Sequence, residues 1–132
     1  MNQEQIEELK IYQDIIKRLA ENSFRIKAWT VTLIVGILLF KDVGIELLLI
    51  SMIPVLSFWF IDSYYVHLER FYRDSYNDIV LNKNPKRIPF LIPGNQINFK
   101  KILKTMLSSF NLLFFYIAII LIIITYIKIK NV

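Results

Sequence analysis

Residues 105–127 form an unbroken run of 23 residues without a charge. As a helix at about 1.5 Å per residue this run is roughly 35 Å long, enough to cross the hydrocarbon core of a bilayer. Its centre, IAIILIII, is rich in β-branched side chains that are poor helix formers in water. In lipid the backbone must satisfy its own hydrogen bonds, so helix is the expected form. The composition agrees, with 55% hydrophobic and 20% charged residues among 132. The chain reads as an all-α membrane protein.

Two further apolar stretches complete the reading. Residues 28–40 are uncharged between Lys27 and Lys41. They are short for a span, but Trp29 and the snorkelling stems of both lysines extend them. Residues 47–68 follow, interrupted by Asp62. The intervening Lys41-Asp42-Val43-Gly44 is polar and holds a glycine, which predicts a tight turn and an antiparallel pair. The expected architecture is one membrane domain, 1–132, with transmembrane helices at 28–40, 47–68 and 105–127. No signal peptide is expected, because the first 24 residues lack an apolar core. The N-terminal segment and residues 69–104 hold 13 of the 16 lysines and arginines. The positive-inside rule places both in the cytoplasm and the C-terminus outside.

Residues 3–27 have helical periodicity, with Asn2 and Gln5 as a capping pair. Leu9, Tyr12, Ile16, Leu19 and Ile26 form a stripe that includes Ser23, and Ile6, Ile11 and Ile15 widen it. The charge-balanced opposite face argues against a helix lying on lipid and for packing on other protein, such as further copies of the chain. Residues 69–104 continue the second span as a helix carrying Tyr72 and Ile79 and then break at Asn82-Lys-Asn-Pro85. Three X-Pro steps favour extended chain, and helix resumes at an Asn98 cap.

Ser51, Pro54, Phe58 and Asp62 fall roughly on one face of the second span. With Ser57 they are the candidate pore-lining residues, and Pro54 is a candidate kink. The alternative for Asp62 is the cytoplasmic interface, beside the aromatic belt of Tyr64 and Tyr65. Thr32 and Gly36 make a small-residue contact between helices. The candidate anion-binding set is Arg70, Arg73, Lys83, Lys86, Arg87, Lys100, Lys101 and Lys104, with Tyr72 and Tyr76 as stacking platforms for bases. Positive-inside topology explains the same charges without a ligand. His67 is a candidate pH sensor or a simple interfacial side chain. With no cysteine and one histidine, disulfides and thiol catalysis are excluded, as is a His-rich metal site within one chain. No nucleophile triad, zinc or phosphate-loop motif appears, so neither an enzyme nor a cofactor is expected.

The runs YQDIIKRLAENSFRIKAWTVTLIV, residues 12–35, and FWFIDSYYVHLERFYR, residues 58–73, carry a resemblance. Asn22-Ser23 before the first span and Trp59-x-x-Asp62-x-Tyr64-Tyr65 closing the second resemble small bacterial membrane proteins of anti-phage defence loci. Within that class, the size and basic face look like the membrane effector of the Hailong system. The resemblance implies a tetrameric channel in the bacterial inner membrane. Short oligodeoxyadenylates made by a nucleotidyltransferase would bind its basic surface and hold it shut. It covers residues 12–73 and assigns no ligand contacts. The expected function is therefore an oligomeric ion channel controlled by an anionic nucleotide or oligonucleotide. A membrane adaptor and a holin-like pore are the alternatives.

Overall fold

The computed structural model describes residues 1–40, 43–91 and 98–131. They fold into four helices, α1 (Gln3–Leu38), α2 (Ile45–Val80), α3 (Phe99–Ser108) and α4 (Phe110–Lys130), with no strand among the described residues. α1 and α2 have 36 residues each, about 54 Å of helix. They pair antiparallel: Tyr12 meets Tyr72, Ser23 meets Asp62, and Ile34 shares a core with Val55. The α1 entry is held by the Asn2 backbone N–H, which donates to Gln5 Oε1 at 3.2 Å. α2 runs through Pro54 and ends at Val80. Asn82 follows with a positive φ of 47°, a conformation asparagine tolerates better than most residues.

Two helices, α2 and α4, are long and apolar enough to cross a membrane. Few of their apolar side chains are covered. Leu49, Ile50 and Ile53 on α2 and Phe114, Leu121 and Ile122 on α4 are exposed. The apolar end of α1 lies in the same layer. Ile34, Val55, Leu112, Tyr116, Ile119 and Ile123 form one core, so α1, α2 and α4 are packed side by side there. α4 runs antiparallel to α2, since Tyr116 reaches Asp62 and Lys130 Nζ donates to the Val43 carbonyl.

Three expectations need adjusting. The run 105–127 is not one helix. Ser109 adopts φ −83° and ψ 112°, so α3 stops at Ser108 and α4 starts at Phe110. Serine has modest helix propensity and is common at helix ends, and two stand at this break, although the Ser109 side chain makes no capping bond. The α1 stripe packs on the extension of α2 in the same chain, where Leu9, Tyr12 and Ile79 are buried together. Ile6 and Ile11, which widen the stripe, stay exposed. The chain after α2 is also not extended over its described part. Residues 81–91 turn repeatedly, and Phe90 has φ 61°. The Asn98 cap is as expected, its side chain accepting from the Lys100 N–H at 3.0 Å. Residues 92–97, which contain the Pro93-Gly94 step, lie outside the described residues, as does the Lys41-Asp42 half of the expected turn.

Candidate functional site

Two buried carboxylates organise the molecule. The first is Asp62, fully buried in the middle of α2. The Ser23 hydroxyl donates to Oδ1, Lys27 Nζ stands 2.6 Å from Oδ2, and Tyr116 OH donates to Oδ2 at 3.1 Å. Lys27 also donates to Ser23 Oγ at 2.9 Å. Ser23 and Lys27 are four apart and so share one face of α1. Three helices thus meet at one carboxylate. Trp59 stacks on Tyr116, with ring centroids 5.6 Å apart and planes 10° apart. A charge in this layer is expensive unless paired and hydrogen-bonded, and Asp62 is both.

The second is Glu8, also fully buried. Arg87 grips it with both terminal nitrogens at 2.6 Å, and the Phe90 N–H donates to Oε1 at 3.0 Å. This clamp draws the turn after α2 onto the start of α1. The Arg87 hydrogen bonds hold the Glu8 carboxyl below its ordinary value, against the opposing effect of burial. Glu8 in turn raises the Arg87 guanidinium. Tyr12, one turn along, is raised chiefly by burial and next by the Glu8 charge.

The expected pore-lining residues divide. Ser51 and Asp62 are buried, and Phe58 packs into the three-helix core. Pro54 is half-buried and Ser57 exposed. Ser51 donates to the Leu48 carbonyl at 2.6 Å and Ser57 to that of Ile53 at 2.9 Å. The set therefore straddles the interior of one chain and its outer face.

The expected anion-binding residues also divide. Arg87 is taken by Glu8. Arg73 bonds Glu69 at 2.8 Å, and Lys83 meets Asp78 at 3.0 Å. Tyr72 lies edge-on to Tyr12 at 5.7 Å, and Tyr76 OH accepts from Gln13 at 3.1 Å. Both rings thus serve the α1–α2 contact. Arg70, Lys86, Lys100, Lys101 and Lys104 are exposed and have no acidic partner among the described residues. The three lysines of α3 occupy one side of that helix, whose buried side carries Ile102 and Thr105. Phe99 fastens α3 to Phe60 of α2, at 5.5 Å between ring centroids.

Glu8, Ser23, Lys27 and Tyr116 are the site residues that sequence reasoning passed over. A signal existed for some of them. Ser23 lay on the apolar stripe with Lys27 one turn on, and Glu8 stands one turn before Tyr12. Nothing marked Tyr116, 54 residues from Asp62. No protein family, curated protein or solved structure matches this chain.

Proposed function

We propose that this chain is a membrane effector of bacterial anti-phage defence, an oligomeric ion channel in the inner membrane. In this reading α1, α2 and α4 cross the bilayer, with the N-terminus inside and the C-terminus outside. Four copies enclose the path. An anionic nucleotide or oligonucleotide on the cytoplasmic face controls it.

One observation carries the proposal. The α1–α2 pair continues past Asp62 to Val80, about 27 Å of helix. With Asp62 counted beside its partner Lys27, that arm and the segments joined to it hold 13 basic against 9 acidic residues, a surplus of four. Four copies would present about sixteen positive charges, which attract a polyanion before any specific contact forms. The interior of one chain is filled by Leu112, Tyr116 and Ile123, so a conducting path has room only between copies. Thr32 on α1, Ser57 on α2 and Thr125 on α4 are polar side chains exposed in that layer. With Arg87 and Arg73 engaged internally, Lys86, Lys100, Lys101 and Lys104 are the proposed ligand contacts.

The test is conductance across a planar bilayer by the purified full chain, with short single-stranded DNA added on the basic side. The reading requires channel currents that DNA changes, and a loss of that change in Lys86→Glu combined with Lys101→Glu. Currents indifferent to DNA would leave a holin-like pore. No current at all would leave a membrane adaptor.

A further inference from the structure

A cleft of about 680 Å³ lies between α1, α2 and the Ser109 elbow that joins α3 to α4. Its lining mixes two chemistries: the polar and charged side chains of Lys27, Glu69, Arg70, Arg73 and Asn111, and the aromatic rings of Phe24, Phe114 and Phe115. Phe24 is 72% and Phe114 67% exposed, so these two rings are open to the surroundings.

Pairing off the charges isolates one cation. Lys27 is matched by Asp62 and Arg73 by Glu69. Arg70 has no acidic partner among the described residues. The start of α4 adds to the positive potential, because Ser109 lines the cleft and makes no side-chain capping bond there. A 21-residue helix places a partial positive charge at such an end. Ser109 also marks where the apolar run of α4 begins, which is the level of lipid phosphates if α4 spans.

We propose that this cleft binds an anionic phospholipid, its phosphate on Arg70 and its acyl chain along Phe24, Phe114 and Phe115. The inference rests on the membrane reading above but not on the channel. A soluble anion would use only the basic side chains. An uncharged amphiphile would use only the aromatic rings. A phospholipid with net negative charge uses both, and the two open rings give its chain access.

The experiment is native mass spectrometry of the full chain released from detergent, with phosphatidylglycerol or phosphatidylcholine supplied. The expected result is preferential retention of phosphatidylglycerol. Arg70 is exposed, so Arg70→Gln leaves the fold intact. It should cut that retention about tenfold, as for the loss of a charge-assisted hydrogen bond, and phosphatidylcholine, whose choline already offsets its phosphate, should lose less, so that the preference between the two lipids narrows. Lys100→Gln with Lys104→Gln on α3, outside the cleft, should leave the preference unchanged. Equal retention of the two lipids overturns the proposal. So does a preference that survives Arg70→Gln and disappears with the α3 variant. Glycerol 3-phosphate, which has the phosphate without the chains, should fail to displace the lipid; displacement would identify a free-anion site instead. A chain that stays dispersed in water without detergent would sink the membrane reading itself, an outcome distinct from equal lipid retention.

Discussion

Asp62 and Glu8 are both carboxylates with no exposed surface, each held by a cation, yet they do different work. Asp62 ties three helices at one point: Ser23 and Lys27 come from α1 and Tyr116 from α4. Glu8 ties a turn to a helix end, through Arg87 and the Phe90 N–H. Removing the first knot loosens the bundle, whereas removing the second frees only residues 81–91. Burial of an acid therefore says little about its role until the elements it joins are known.

The largest effect should come from Asp62→Ala. It strands the Lys27 ammonium, only 23% exposed, in an apolar layer, and breaking a buried pair this way costs about 3–5 kcal/mol. Thermal unfolding in detergent would register it. The double change Lys27→Met with Asp62→Leu should recover most of the loss, because two apolar groups replace both charges. If the double variant is as unstable as the single one, the ion pair is not the reason.

Glu8→Ala should cost less, about 1–2 kcal/mol, since the Arg87 side chain is 25% exposed and water screens it once freed. Hydrogen exchange should rise across residues 84–91 while α4 stays protected. Acid offers the same test without mutation. The Glu8 carboxyl is held below its ordinary value of 4.5. Its contribution is complete above that value and is lost as pH falls through the lowered folded one. Exchange at residues 84–91, read on a pH-corrected scale, should therefore rise on acidification below about pH 4.5. The Glu8→Gln variant should lack that step.

A cysteine pair sharpens the contrast between interior and outer faces. If the proposed path lies between copies, Ser57→Cys should react with a water-soluble thiol reagent and Ser51→Cys should not, because Ser51 is only 3% exposed. Equal reaction would mean that exposure in the single chain does not decide access on α2. The smallest effect should be that of Ser109→Ala. Ser109 makes no side-chain capping bond, so the cost should be well under the about 1 kcal/mol typical of a lost cap.

The helical class, the hairpin and the Asn98 cap were legible in the sequence, because periodicity and capping chemistry are local. The position of Asp62 was legible, but its partners were not. Lys27 reads as a snorkelling anchor from its place at the edge of an apolar run, and only the packing of α1 on α2 turns it inward. Arg87 reads as an exposed cation because it stands among prolines and lysines. Its capture by Glu8, 79 residues away, depends on a chain reversal that no local pattern encodes. The Ser109 elbow was hidden for the opposite reason. The lack of charge from 105 to 127 suggests one continuous element, while the helix breaks at two serines inside it.

The two long helices also have a mechanical consequence. The pin at Ser23, Lys27 and Asp62 lies near the midpoint of α2, with 17 residues from Ile45 to Asp62 and 18 from Asp62 to Val80. Each arm is about 26 Å long at 1.5 Å per residue. Since α2 is also packed on α1 on both sides of the pin, a sideways push at the basic tip moves the two helices together about that point and displaces the far end of the apolar layer in the opposite direction.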